Sequence, residues 1–489
     1  MLSFPSSKTK IRFMWRRLLP AVLSAVTAVA TAQEIPRHPR MGVCTHFEQN
    51  WDVDKVMPLV ARSGVSWIRD DFYWKDYEQQ KGVYRVPAKA MRWIDAAYSA
   101  GLKIDLIFNG SNSIYAPDVY NPEAYAKAAA ALAKDLAGKV QVIEILNEPE
   151  NFGFMKRYGG AWNGLENDGT VSPWVGGYAE LINKAAKAVK ASNPEMKVIG
   201  LGSSPPVNYR EMAMGIAPEV DGVVDHPYSP KMAPEVVPYA SAPALLKRDG
   251  IATADENGTF SSLIQMYREQ SARYKGPREL WLTEWGWSTF QEAKVDGHSS
   301  GFTPRAQAKY ILRRLVQSLG LGVDATFIYD FKDDGADPYE LEDHFGLVDY
   351  ALNPKPAHAA VQRAAALLAG YHPHQNFEVS ISPVAGRPDT NPVLWDGARL
   401  ATSGAIECYQ FVGAGGRQLI VLWSNERADG DLNPRLADVE ISIPGMPSKV
   451  ETHDLFTGRS YEVPFAKSSK GIILKQFTVP DYPVALTFN

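Results

Sequence analysis

Cysteine is nearly absent: the 489 residues hold two, Cys44 and Cys408. So few thiols exclude a disulfide-built scaffold and a cysteine-ligated metal cluster. The two read as belonging to different folded parts, and whether they pair or remain buried thiols stays open at this level. An excess of one charge is missing too. With 51 Lys and Arg against 55 Asp and Glu, the net charge is −4, which offers no electrostatic attraction to nucleic acid or to an acidic membrane. There is no repeat at solenoid spacing, and no apolar run beyond the N-terminal segment is long enough to span a bilayer. A Gly-rich phosphate loop is also lacking. The first β-like run ends in Cys44-Thr45-His46-Phe47, which argues against a nucleotide-binding open sheet.

What is present begins with a leader. Lys8, Lys10, Arg12, Arg16 and Arg17 precede an uncharged, Ala-rich stretch, residues 18–32, closing on Ala30-Thr31-Ala32. The pattern predicts an export signal over residues 1–32, cleaved before Gln33. The stretch is shorter than the ~20 residues of a spanning helix, so no stable membrane anchor is expected. The mature chain would be periplasmic or extracellular.

From residue 41 short β-like runs alternate with amphipathic helices. Strands are predicted at residues 41–47, 65–70, 103–109, 140–146, 197–202, 222–226, 280–284 and 325–329, each followed by a helix. Asn121-Pro122 and Thr303-Pro304 mark two helix starts, and Gly370 stops the last. Eight βα units predict a (β/α)8 TIM barrel over residues 33–371. Helical periodicity then ends. Short strands and Gly-rich turns predict a small C-terminal antiparallel β-sandwich over residues 372–489.

In such a barrel, reactive groups sit at the carboxyl ends of the strands. The fourth strand ends Ile145-Leu146-Asn147-Glu148-Pro149, and the seventh ends Thr283-Glu284-Trp285-Gly286-Trp287. Two facing carboxyls are what glycosidic cleavage requires: one protonates the leaving oxygen, and the other attacks the anomeric carbon or activates water. Arg69 ends the second strand, and His226-Pro227-Tyr228 follows the sixth. The ordered set resembles glycoside hydrolase clan A, and within it most closely family 39, over residues 41 to about 370.

The resemblance implies a retaining β-glycosidase with Glu148 as general acid/base and Glu284 as nucleophile. It implies that Arg69 and Tyr228 hold the nucleophile, and that Asn147 holds a ring hydroxyl. The charge of Glu284 would raise the pKa of Glu148 and so keep its proton in place. His226, His46, Trp74 and Trp285 are further substrate-binding candidates, with Trp287 an alternative to Trp285 as the floor of the sugar site. Phe152, Phe154, Tyr158, Trp162 and Trp174 on the fourth loop either wall sugar subsites or pack together to hold that loop. The acidic eighth loop, with Asp333, Asp334, Asp337, Glu340, Glu342 and Asp343, reads as solvated or as a Ca2+ site without EF-hand spacing. The expected partner is a carbohydrate substrate, with no cofactor and no metal. A transglycosylase using the same residues, or a non-catalytic carbohydrate-binding barrel, are the alternative readings. Sugar identity and the choice between endo and exo cutting are not written in the motifs.

Overall fold

The computed structural model describes residues 36–489, apart from 152, 292–300, 375–377, 385–391, 429–431, 433 and 444. The leader, residues 1–32, and Phe152 therefore lie outside the described residues. Among the described residues no helix is long and apolar enough to cross a membrane.

Eight parallel strands close into a barrel in sequence order. They are β1 (His38–Cys44), β2 (Val65–Tyr73), β3 (Lys103–Asn109), β4 (Val142–Ile145), β5 (Lys197–Gly200), β6 (Gly222–Asp225), β7 (Glu279–Leu282) and β8 (Ala325–Ile328). β1 pairs with both β2 and β8, which completes the ring. Strand boundaries differ from the sequence reading mainly at the ends. β1 starts three residues earlier and stops at Cys44, so His46 and Phe47 fall in the following loop. β2 runs on to Tyr73, because its pairing with β3 continues to Tyr73 opposite Asn109.

The barrel interior is a packed plug. Trp67, Val142, Ile199, Val224, Trp281, Ala325 and Phe327 form its cluster beneath the strand ends. Trp281 stacks on Phe327 at 6.2 Å and meets Trp67 edge-on at 5.3 Å. Gly42 makes room for this plug, since a Cβ there would lie 2.3 Å from the Phe327 ring. The plug closes the barrel from below and leaves its upper mouth for polar groups.

Among the described residues two large antiparallel sheets follow, with a two-stranded hairpin of Val393–Trp395 and Ala398–Leu400 beside them in sequence. One has six strands, led by residues Gln418–Ser424, Val450–Asp454 and Val484–Phe488; the other has four, centred on Arg435–Ile441 and Ile472–Val479. Val421, Leu486, Val439 and Leu474 from both sheets are buried in one hydrophobic cluster. Both cysteines are free thiols, and the Cys44 Sγ donates to the Thr283 carbonyl at 3.2 Å.

The helix Pro304–Gly320 joins barrel to sandwich, and every residue from Ala306 to Gly320 is buried. Thr303 caps it by accepting from the Ala306 N–H. A helix buried all round cannot leave its charges unpaired. Lys309 meets Asp481 at 2.9 Å. Arg313 donates through Nε to Glu235 at 2.9 Å, and the Trp423 indole donates to the same carboxylate at 2.8 Å. Arg314 donates to the Pro227 carbonyl at 2.6 Å and to Ser229 Oγ at 2.8 Å, bracketing Tyr228. Glu235 thus ties a barrel loop, the helix and the sandwich together. Glu235→Leu leaves Arg313 charged and buried, so it should cost about 3–5 kcal/mol, read as a lower midpoint in chemical unfolding. A midpoint unchanged from wild type would remove Glu235 as the tie.

Candidate active site

The barrel mouth opens into a cavity of about 940 Å³. Arg69, Asn147, Glu148, Tyr228, Glu284 and His46 all line it. The chain at the end of β4 turns through left-handed backbone at Leu146 (φ 60°) and Glu148 (φ 43°). Such conformations are costly for residues with a Cβ and collect where function demands a particular side-chain direction.

Arg69 is the anchor of the site. Its Nε and Nη2 donate to the two oxygens of Glu144, each at 2.8 Å. Nη2 also reaches Asn147 Oδ1 at 2.8 Å, and Nη1 donates to Glu284 Oε1 at 2.6 Å. Burial opposes the Arg69 charge, but the carboxylates of Glu144 and Glu284 outweigh it and hold its pKa above the ordinary value. Tyr228 Oη donates to Glu284 Oε2 at 2.9 Å. Burial and the neighbouring Glu284 push the Tyr228 pKa up, so the phenol keeps its proton for this bond. Both oxygens of Glu284 are therefore held as acceptors.

His226 stands between the carboxyls. Its Nδ1 lies 2.7 Å from Glu148 Oε1 and 3.7 Å from Glu284 Oε2, and its Nε2 lies 3.0 Å from Thr283 Oγ1. Asn151 donates to Glu148 Oε2 at 2.9 Å. The balance of charge here corrects the sequence expectation for Glu148. Burial raises its pKa, but the hydrogen bond and charge of His226 outweigh burial and leave it below the ordinary value. Burial would lower the His226 pKa, but Glu284 and Glu148 bring it up to about 9. In this state the shared proton rests on the imidazole and Glu148 is a carboxylate.

His46 is held from the opposite side of the barrel. Its Nδ1 lies 2.7 Å from Asp334 Oδ2 and 3.8 Å from Asp330. Burial alone would lower its pKa; the Asp334 hydrogen bond and the Asp330 charge raise it to about 9. The Trp51 indole donates to the other Asp334 oxygen at 2.7 Å. Asp70, buried under the same loop, accepts from Thr45 Oγ1 at 2.8 Å and from the Phe47 N–H at 2.7 Å. His46, Asp330 and Asp334 form one cluster with metal-like spacing, and Glu148, His226 and Glu284 form another. In each, one imidazole stands between two carboxyl groups.

Two aromatic assignments are corrected. Trp285 is fully buried and absent from the cavity wall. Its indole donates to Thr326 Oγ1 at 2.8 Å, on the outer side of β8, because Ala325 and Phe327 are the residues facing inward. Trp287 takes the place at the wall. Trp74 is also fully buried. It heads the short helix Trp74–Tyr77, stacks on Tyr115 at 5.3 Å and donates to Glu78 at 2.7 Å, while its neighbours Tyr73 and Lys75 line the cavity.

The fourth-loop aromatics divide. Phe154 lines the cavity and packs on Tyr120, Tyr158 and Tyr178. Trp174 is buried, and Trp162 sits outside under Arg248. They chiefly hold the loop. Glu150 is buried and accepts from the backbone and hydroxyl of Ser203. From the acidic eighth loop, Glu342 lines the cavity, while Asp333 instead holds Lys355 at 2.6 Å. Asn109 and Tyr329 were not singled out from sequence, yet both follow the strand-end rule that found the others. Nothing in the sequence marked Glu342 apart from its acidic neighbours.

No protein-family model matches the chain, and no curated protein matches it. Among solved structures, a family 39 glycoside hydrolase from the gut symbiont Bacteroides cellulosilyticus is similar, with 22% identity over 93% of this chain and 81% of that one, at a TM-score of 0.65. A family 30 endoxylanase from Clostridium papyrosolvens matches 94% of this chain and 98% of its own, with 12% identity and a TM-score of 0.50. The likeness is one of fold: barrel and C-terminal sheets together follow the architecture of a family 39 enzyme.

The two histidines give the site a pH signature. Each has a folded pKa of about 9 against an ordinary value of 6.5. A raised pKa contributes stability in full below about pH 6.5, and that contribution is lost as pH climbs through about 9. The melting temperature should fall across this interval, and His226→Gln should flatten part of the fall. A wild-type melting temperature constant from about pH 6.5 to about pH 9 would contradict both ion pairs.

Proposed function

We propose that this protein is a retaining glycoside hydrolase acting on β-linked oligo- or polysaccharide, with Glu284 as nucleophile and Glu148 as general acid/base. The observation that carries this reading is the carboxyl pair bridged by one imidazole, with ligand atoms of all three groups within 4.8 Å of one another. Retaining pairs stand about 5–5.5 Å apart and inverting pairs about 6.5–9.5 Å. With ligand atoms of the two carboxyls within 4.8 Å, the pair falls on the short side of that division, which favours retention. The two fold relatives, a family 39 glycoside hydrolase and an endoxylanase, support a sugar substrate.

The chemistry follows from the hydrogen bonds. Glu284, held by Arg69 and Tyr228, attacks the anomeric carbon. Substrate fills the cavity and expels water, which removes solvation from the imidazolium–carboxylate pair. The proton then passes from His226 Nδ1 along the 2.7 Å bond to Glu148. Glu148 delivers it to the leaving oxygen as that C–O bond breaks and the ester to Glu284 forms. With the charge on Glu284 gone, Glu148 takes a proton from water, and the resulting attack cleaves the ester with net retention. Asn147, His46 and Trp287 are placed to bind the ring. Residues 33–371 serve as the catalytic part and residues 372–489 as its support. Export directed by residues 1–32 fits a polysaccharide substrate outside the cytoplasm.

The test is reducing-sugar release from a panel of β-glycans by wild type, Glu148→Gln and Glu284→Gln. Wild type should cleave at least one glycan, and Glu284→Gln should lose roughly 10³-fold or more. Glu148→Gln should lose as much on natural glycans yet keep much of its glycosylation rate on aryl glycosides, whose leaving group needs no proton. Near wild-type release by either variant on glycan would overturn the assignment.

A further inference from the structure

Beneath the reacting pair lies a carboxyl group that the proposed mechanism does not use. Asp105 on β3 is fully buried and stands in register with Arg69 on β2. Neither of its oxygens accepts a hydrogen bond. An ionised carboxylate is acceptor-only, and leaving one buried with nothing donated to it is costly. The group facing it is Glu144 on β4, itself a carboxylate, whose two oxygens take Arg69. A carboxyl beside a carboxylate satisfies both if it keeps its proton and donates. Charge counting gives the same result. Asp105, Glu144 and Glu284 are three acids around one guanidinium, above a plug of Trp67, Trp281 and Phe327 that excludes water. Two ionised acids against Arg69 leave the single negative charge that a nucleophile needs; three would leave two.

We propose that Asp105 is a neutral hydrogen-bond donor to Glu144 and, through Glu144 and Arg69, a positioning residue for Glu284. The bond from Asp105 draws electron density from Glu144, weakens the hold of Glu144 on Arg69, and leaves more of that cation for Glu284. Without it Glu144 becomes the stronger partner of Arg69, and Glu284 is more easily protonated. Burial and the Glu144 charge both push the Asp105 carboxyl well above the usual carboxylate range, in keeping with this role. The inference rests on the reading of Glu284 as nucleophile.

Besides Arg69, the groups facing Glu284 are Glu148 after β4, His226 and Tyr228 from the sixth strand end, Cys44 from β1, Tyr329 after β8 and Glu342 from the eighth loop. None of these contacts changes on substitution of Asp105. Asp105→Asn keeps a neutral N–H donor of the same size, whereas Asp105→Leu keeps volume and removes the donor. The acidic limb of kcat/KM should stay in place in the Asn variant and move up by about one pH unit in the Leu variant. Equal behaviour of the two variants, at matched melting temperatures, would overturn the proposal. A second measurement needs no substrate. In protein labelled with 13C at the Asp side-chain carboxyl, the resonance lost in Asp105→Asn should keep the shift of a protonated acid from about pH 5 to about pH 8. A carboxylate shift over that range would overturn the proposal whatever the enzyme's activity. If that resonance stays protonated while Glu284→Gln remains active, the nucleophile assignment fails and the Asp105–Glu144 bond stands.

Discussion

One guanidinium organises the mouth of this barrel. Arg69 has five N–H donors and makes four hydrogen bonds with them, to Glu144, Asn147 and Glu284, while almost fully buried. Because the fork is rigid and planar, fixing two of its nitrogens on Glu144 fixes where the third points. Glu284 is then aimed by a strand on the far side of the barrel rather than by its own. The same guanidinium also orients Asn147, next to Glu148, so both halves of the carboxyl pair take their bearing from one side chain. Such a site loses geometry all at once or keeps it all.

His226 performs the complementary task of holding the proton. A carboxyl placed close to a second carboxylate ordinarily keeps its proton through mutual repulsion. Here a buried imidazole lies between the two, and its gain in charge outweighs that repulsion. The site's shared proton is thereby held on the imidazole, one hydrogen bond from Glu148.

The residues legible from sequence were those at the carboxyl ends of strands. A polar or charged residue that ends a β-like run in an alternating βα pattern has few places to go except the barrel mouth, and Arg69, Asn147, Glu148, His226, Tyr228 and Glu284 are brought together for that reason. The aromatic residues were not legible in this way. Trp285 and Trp287 both lie beyond the end of β7 at Leu282, where strand alternation no longer says which side chain turns toward the cavity. The contact of His46 with Asp334 spans 288 residues of chain, and no local pattern announces it. The first strands after the barrel, such as Val379–Pro383 and Ile406–Gly413, went unread because they are short or half-exposed and lack clean alternation. Of the sandwich core strands, Gln418–Ser424, Val450–Asp454 and Val484–Phe488 were visible, whereas Ile472–Val479, whose alternation is broken by Lys475 and Gln476, also went unread.

The helix Pro304–Gly320 has no face of its own turned to water. Gly320 at its end shows how close the fit is, since a Cβ there would lie 2.4 Å from the Tyr409 ring on the sandwich side. An amphipathic helix of an ordinary barrel could lose its neighbour and simply become more soluble on that side. This one would present Lys309, Arg313 and apolar side chains together, stripped of Asp481 and Trp423. A cut at residue 372 would therefore expose a charged and apolar face rather than leave a self-contained barrel. A chain without its sheets would need a rewritten Pro304–Gly320 helix, and one with different sheets would need that helix matched to the replacement.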